Sequence, residues 1–209
     1  MKTIWIYATR EIEIEDFPNV YNHFSTFEKV IKSRSLNRGE IQAAVKLGKW
    51  WVLFSAKDRD SFVQPKLVCP QRSPRNTFAY TESEWYSSAD VYYICQKDQE
   101  THLKYVMGLL NSSLYRLWFS HKGKRKGNLL ELYYTPLTQV PIKKVSGVQQ
   151  KQVIDIVDEI LEIKKSNDYS RSSEQHKIAS ECEAHLDDIV ARLYGLTDAE
   201  RAIIEGRDR

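Results

Sequence analysis

The hydrophobic period of this chain changes near Thr101, and that change limits the folds open to it. Before it, apolar residues come in short β-branched and aromatic runs; after it they recur at helical spacing as far as Ile204. Thr3 to Ala8 reads as a strand because Ile4, Ile6 and Ala8 alternate with Trp5 and Tyr7. Trp50–Phe54, Lys66–Cys69, Thr77–Thr81 and Val91–Cys95 read as further strands, with Pro65, Pro70 and Pro74 punctuating the loops. After Pro18, the spacing of Val20, Phe24, Phe27 and Ile31 predicts one amphipathic helix running to about Ser35. Lys29, Lys32, Arg34 and Arg38 gather towards its end, where cations suit the helix dipole.

Beyond Thr101, Leu103, Val106, Met107, Leu110, Leu114, Leu117 and Trp118 form one helical stripe that delivers its C-terminus into a basic loop. A turn-rich segment, Tyr133–Pro141, follows. A second stripe runs through Val153, Ile156, Val157, Ile160, Leu161 and Lys164. A third, beyond the polar linker Ser166–Ser173, runs through Ile178, Cys182, His185, Leu186, Ile189, Val190 and Leu193. These two helices can pair as a hairpin. Gly195 is placed to end the second of them, and Thr197 with Glu200 has capping-box spacing for a last short helix carrying Ile203 and Ile204. The expectation is an α+β fold: a small mixed β-sheet body with packed helices over residues 1–145, then a C-terminal helical hairpin over 146–209.

Composition closes several other routes. With 42% hydrophobic and 11% aromatic residues, the 209-residue chain can bury a core, so disorder and fibrous repeats do not fit. Uncharged stretches such as Val91–Gln96 fall far short of the ~18–20 apolar residues of a membrane span. The N-terminus meets Arg10 and the acids Glu11, Glu13, Glu15 and Asp16 without an export signal's apolar core. Cys69, Cys95 and Cys182 are odd in number and widely spaced, as expected of reduced, packed thiols. A soluble, cytoplasmic protein without a metal site is expected.

The net charge of +3 hides two opposite halves. Residues 1–150 hold 22 Lys and Arg against 14 Asp and Glu, whereas residues 151–209 hold 9 against 14. A basic body suggests a polyanionic partner, and an acidic helical tail suggests a solvated face or a surface for another protein. The basic charge clusters most at His121, Lys122, Lys124, Arg125 and Lys126, bracketed by Gly123 and Gly127. Such a cluster suits phosphates, which position a protein on a nucleic acid without reading sequence. A solvated charge run is its plain alternative. The segment Gln71-Arg72-Ser73-Pro74-Arg75-Asn76 lies between two predicted strands and is expected to be a surface loop. Gln71, Arg72, Arg75 and Asn76 are side-chain types that read base edges, Arg at guanine and Gln or Asn at adenine. A polar turn with two exposed arginines would look the same.

Catalytic chemistry is hard to find. No Gly-x-Gly or Gly-Lys-Ser/Thr is present to cradle a phosphate, and no His-Glu-x-x-His, Cys-x-x-Cys or Gly-x-Ser-x-Gly occurs. His185 falls on a helical stripe and reads as a packed or edge residue rather than a ligand. Asp155, Asp158, Glu159 and Glu162 read as a solvated helix face.

The order of several blocks carries a resemblance. Phe17–Phe24, Lys66–Ser73, Asn76–Tyr80, Ser88–Ile94, Leu109–Ser112, His121–Gly127, Leu130–Tyr133, Thr135–Leu137 and Val140–Ile142 resemble consecutive blocks of the TaqI-like C-terminal specificity domain. Ile189–Thr197 resembles the helix ending of the same large enzymes. The resemblance implies the target recognition domain of an adenine-specific DNA methyltransferase of a restriction–modification system, with or without a fused endonuclease as in type IIG enzymes. It implies double-stranded DNA as partner, a separate methyltransferase domain of the same parent enzyme, and S-adenosylmethionine bound there. It also implies that this chain is the non-catalytic part, with no cofactor or catalytic centre of its own, and its strand-first start fits a boundary inside or at the edge of such a domain. The family often carries Trp-Tyr-x-Leu-x-x-Pro-Arg ahead of the Lys-Leu-Val strand, whereas this chain has Trp50–Lys57 without the final Pro-Arg; Lys57 or Arg59 would substitute. A non-catalytic protein-interaction subunit acting through the acidic hairpin is the alternative.

Overall fold

Where Pro18 starts a helix and Thr26 and Phe27 interrupt it, a computed structural model shows two short helices in place of the single one expected. The model describes residues 6–33, 39–52, 59–88 and 90–206. Helix α1 spans Pro18–Ser25, α2 Glu28–Ser33 and α3 Gly39–Lys46. The Thr26 hydroxyl donates to His23 O at 2.7 Å, a local bond that competes with helix continuation and turns the chain. No residue of α1 or α2 is fully buried, and Phe27 and Val30 stand exposed. The expected N-terminal strand lies partly outside the described residues, and Ile6–Ala8 form none. The expected Trp50–Phe54 strand is a turn over its described part. There Trp50 is buried against the edge of Trp51 at a centroid distance of 5.7 Å, so the indole pair serves packing rather than a ladder. Arg34, Arg38 and Lys57 lie outside the described residues.

The chain divides into two compact units, residues 1–59 and 60–209. The second opens with α4, Asp60–Val63, and then β1, Lys66–Pro70, β2, Arg72–Ser73, β3, Ala79–Thr81, and β4, Val91–Cys95. Helices α5, Leu103–Asn111, and α6, Ser113–Lys122, lead into β5, Lys124–Lys126, and β6, Leu129–Glu131. Helix α7, Tyr134–Gln139, occupies the segment expected to be turns. Three helices finish the unit: α8, Gly147–Lys165, α9, Ser173–Tyr194, and α10, Asp198–Glu205. The class is α+β with C-terminal helices.

The strands form two antiparallel sheets, ordered β3-β1-β4 and β2-β6-β5. The chain passes from one to the other at Gln71, whose N–H donates to Asp90 O while its carbonyl accepts from Leu132 N, both at 2.8 Å. A backbone group at this junction is thus satisfied from both sides.

The long helix expected from Thr101 is two helices, broken at Ser112, whose extended backbone caps α6. The predicted stripe is buried at Leu103, Met107 and Leu110, but Tyr105, Leu109, Tyr115 and Phe119 are buried too, because α5 and α6 are covered on more than one side. The phenol of Tyr105 donates to Lys143 O at 2.8 Å and that of Tyr115 to Pro141 O, tying down the strap that leads to α8. Gly108 lets α5 approach α8: a Cβ there would stand 2.5 Å from Val153 Cγ1. Val153, Val157 and Ile160 of α8 and Cys182, Leu186, Ile189 and Val190 of α9 complete the core.

Helix boundaries follow local chemistry. Ser146 with Gln149 and Thr197 with Glu200 both close capping boxes, and Gly195 ends α9 in the left-handed conformation. The three cysteines form no disulfide with one another, and burial pushes the Cys69 thiol up to about 12, which keeps it protonated and inert. His185, placed on the α9 stripe by periodicity, is exposed. No helix among the described residues is long and apolar enough to cross a membrane.

Candidate nucleic-acid interface

The basic cluster is an edge strand rather than a loop. Lys122 closes α6, Gly123 turns the chain, and Lys124–Lys126 pair with Leu129–Glu131 through the two-residue turn Gly127-Asn128. Gly127 has φ 61 while Asn128 does not go positive, the pattern of a type II′ hairpin. All three β5 residues are exposed. Alternation along the strand sorts them: Lys124 and Lys126 share one face, and Arg125 points to the other.

The register joins this strand to the segment around Arg72. Glu131 of β6 stands opposite Lys124 on one side and Arg72 on the other, and Leu130 stands opposite Arg125 and Ser73. Arg72, Glu131 and Lys124 therefore form one cross-strand row on the solvent face. The two loci that looked separate in sequence are the two edges of one small sheet. Leu130 and Ser73 belong to the covered face and are buried.

Arg72 is held in place. Its Nε lies 3.5 Å from Glu131 Oε1, its guanidinium donates to the Tyr133 hydroxyl, and it lies over the Tyr133 ring at 5.6 Å. The Arg72 side chain remains 43% exposed, so the ion pair is screened and replaceable. Glu131 is the single carboxylate among residues 101–150, against eight Lys and Arg. Neither Glu131 nor Tyr133 was singled out as a site residue from sequence. The signal available was that lone acid at the centre of a basic stretch.

Asn76 corrects an expectation. It is 7% exposed, and its amide donates to Leu110 O at 2.6 Å and Ser112 O at 3.0 Å. Asn111 answers from the other side: its Oδ1 accepts from Phe78 N and its Nδ2 donates to Phe78 O, both at 2.9 Å. Two asparagines thus clamp the 74–78 segment to the α5–α6 break, satisfying carbonyls that α5 leaves at its end. Asn76 cannot meet a base without releasing this clamp. Within Gln71–Asn76, Arg72, Pro74 and Arg75 are exposed, Gln71 is half-buried at the sheet junction, and Ser73 is buried, its hydroxyl 2.9 Å from that of Thr77. The whole segment is therefore not a surface loop. Of the remaining predicted residues, His121 is exposed on the last turn of α6 with Nδ1 2.9 Å from Leu117 O, and Lys122 follows it into solvent.

A second basic side chain also needs separating from function. Lys66 is fully buried, and its ammonium donates to Phe62 O, Gln64 O and Ser83 O at 2.7, 3.0 and 3.1 Å. Burial pulls its pKa below the ordinary lysine value, and the nearby Cys95 and Glu84 oppose that pull. It fastens the strand, not a ligand.

The acidic hairpin is largely neutralised by its neighbours. Asp155 pairs with Lys151 at 2.7 Å, Glu162 with Lys165 at 2.7 Å, Glu183 with Lys164 at 2.6 Å and Asp158 with Lys104 at 2.6 Å. Among the described residues, no group of three or more His, Cys, Asp and Glu is placed to hold a metal ion.

Comparison with known proteins decides the family. The model of the TaqI-like C-terminal specificity domain matches residues 22–142, more than half of the chain. The chain belongs to this family. The matched range takes in both sheets, the asparagine clamp and the basic edge strand of the specificity domain. The type II methyltransferase M.HincII of Haemophilus influenzae is 28% identical over 149 residues, covering 69% of this chain and 29% of that protein. M.HindII of Haemophilus influenzae strain Rd is 26% identical over 153 residues, 69% of this chain and 28% of that protein. M.BstVI of Geobacillus stearothermophilus is 22% identical over 194 residues, 93% of this chain and 30% of that protein. The chain spans less than a third of the length of these relatives.

Proposed function

We propose that this specificity domain is the DNA-reading module of a restriction–modification DNA methyltransferase. One observation carries the reading: the β2-β6-β5 sheet gathers Arg72, Lys124 and Lys126 on one exposed face, with a single carboxylate among them. Lys124 and Lys126, with His121 and Lys122 at the end of α6, would hold phosphates on the duplex. Arg72 would exchange Glu131 for a base edge, as guanidinium groups do bidentately at guanine. Its stacking on Tyr133 limits the side-chain freedom lost in doing so.

The parent enzyme would use this hold to let a neighbouring domain flip and methylate an adenine. S-adenosylmethionine would belong to that other domain. Among the described residues, the glycines with positive φ, Gly48, Gly127, Gly195 and Gly206, stand singly at turns and helix ends instead of converging into a cradle, which supports placing that cofactor in the other domain. The methyltransferase domain of the same enzyme would be the protein partner, with the α8–α9 hairpin of residues 146–209 as spacer or dock.

The test is a titration of this chain against mixed-sequence duplex DNA at several salt concentrations. Binding that weakens steeply with salt, and that Lys124→Ala/Lys126→Ala flattens, is the expected result. Absence of binding down to low salt would overturn the reading for this chain. Arg72→Ala should then relax discrimination at one base position by ~1–3 kcal/mol; an equal loss on every sequence would remove Arg72 from base reading.

A further inference from the structure

Strand β5 is basic on both faces, and the face opposite Lys124 and Lys126 continues into a part of the surface that no sequence motif marks. Arg125 turns away from the Arg72 row and donates to Ser120 Oγ on α6 at 3.1 Å. Ser120 lies one helical turn beyond Arg116, and its hydroxyl donates to Arg116 O at 2.8 Å, so Arg116, Ser120 and Arg125 share one side of α6. Arg116 in turn lines a cleft of about 320 Å³ together with Arg75, on the segment held by the asparagine clamp. The order Arg75, Arg116, Arg125 thus runs from the clamped segment, past the cleft and along α6 to the sheet edge, a ridge of three guanidinium groups.

The chemistry of this ridge is that of an unpaired polycation. Among the described residues, Arg75, Arg116 and Arg125 make no ion pair, whereas Arg72, Arg192 and Arg201 each do. The two carboxylates of the same cleft are engaged within it by partners other than these arginines: Glu183 binds Lys164 at 2.6 Å, and Asp187 accepts from the Ser113 N–H at 2.7 Å and the Ser113 hydroxyl at 2.6 Å. Arg75 and Arg116 are exposed, and both are anchored through rigid backbone, the clamp for one and α6 for the other. Guanidinium groups fixed in this way match phosphodiester oxygens in charge and geometry.

We infer that Arg75, Arg116 and Arg125 form a second phosphate-binding track for the backbone of duplex DNA, distinct from Lys124 and Lys126, which makes Arg116 a positioning residue and moves Arg75 from base reading to backbone contact. The inference rests on the reading of this chain as a DNA-binding module. Contacts at Lys124 and Lys126 alone would leave the duplex free to pivot about the edge strand; a second track along α6 fixes the angle at which Arg72 meets the bases.

The experiment compares Arg116→Gln, Arg75→Gln and Arg116→Lys with the unsubstituted chain on mixed-sequence duplex DNA across a salt series, with Lys151→Ala as control. Lys151 carries a cation that Asp155 holds at 2.7 Å on α8, away from the ridge. Each glutamine variant should lower the slope of log affinity against log salt by about 0.9 and weaken low-salt binding several-fold, equally on all sequences. Arg116→Lys should keep most of the slope, and Lys151→Ala all of it. Unchanged slopes in both glutamine variants, with the slope still lowered by Lys124→Ala/Lys126→Ala, would overturn the second track and leave the module reading standing. An Arg75→Gln loss confined to particular sequences would return Arg75 to base reading. If the unsubstituted chain does not bind DNA, both proposals fall.

Discussion

The two sheets of the larger unit each present lysine side chains from a strand, and they use them in opposite ways. In β3-β1-β4, Lys66 sits on the central strand, 0% exposed, with three backbone carbonyls around its ammonium. In β2-β6-β5, Lys124 and Lys126 sit on an edge strand and face solvent. The residue type is the same and the local structure is the same. What differs is whether the surrounding backbone has already consumed the charge. A lysine that satisfies carbonyls left over by α4 and by the 82–85 segment holds the fold together; a lysine on an exposed edge leaves its charge in solvent.

That comparison can be broken, and the largest effect is expected at Lys66. Lys66→Met should cost about 3 kcal/mol by leaving buried carbonyls unpaired, read as a lower urea midpoint, whereas Lys124→Ala/Lys126→Ala should shift stability by less than about 0.5 kcal/mol. Equal losses from the two would show that the edge strand is structural as well. Next comes the clamp: Asn76→Ala should cost about 2 kcal/mol, against about 0.5 kcal/mol or less for its exposed neighbour Arg75→Ala, both measured by chemical denaturation. A silent Asn76→Ala would return that side chain to the candidate base readers. A smaller effect is expected from Glu131→Gln, which should tighten binding to mixed-sequence DNA by about threefold at low salt and not at high salt, since it removes a screened surface charge between two cations. Weaker binding instead would mean that Glu131 is needed to orient Arg72.

The smallest effect is the pH dependence that Lys66 itself contributes. Because burial lowers the Lys66 pKa from 10.5, the unfolded chain binds more protons than the folded one between the lowered value and 10.5. Stability contributed by this group should therefore rise as pH climbs through that alkaline window. It is read by thermal unfolding as a difference: stability should fall more steeply with pH in Lys66→Met than in the Lys124→Ala/Lys126→Ala protein, because the buried Cys69, Tyr105 and Tyr115, whose pKa values burial raises, work in the opposite direction in both.

Much of the helical half was legible because burial there repeats at a period the sequence displays. Val153, Val157 and Ile160 on α8 and Cys182, Leu186 and Val190 on α9 stand where periodicity placed them. So do the cap at Thr197 and Glu200 and the helix end at Gly195, which depend on residues within one turn. The interruptions were not legible. Ser112 splits one expected helix because its hydroxyl caps the next, and Thr26 splits another by bonding back to His23; both side chains could equally have pointed into solvent from an unbroken helix. The Trp50-Trp51 run has strand-forming residues but finds no strand to pair with among the described ones, and it packs ring on ring.

The candidate site divides along the same line. Its chemistry, a basic cluster around glycines and an Arg-rich segment after a strand, was present in the order of residues, as was the resemblance that placed the chain in its family. Which of those residues remain available was not. Asn76 and Arg75 are adjacent and both polar, yet one is spent on the carbonyls at the α5–α6 break and the other reaches solvent. Arg72 and Lys124 lie far apart in sequence and share a row because each pairs with Glu131. Composition, period and capping are properties of neighbours along the chain, so the sequence by itself determined the class of fold, the helical core and the resemblance to the family. Register and the satisfaction of buried polar groups are properties of neighbours in space, and only the tertiary structure decided which charges are left over to bind anything.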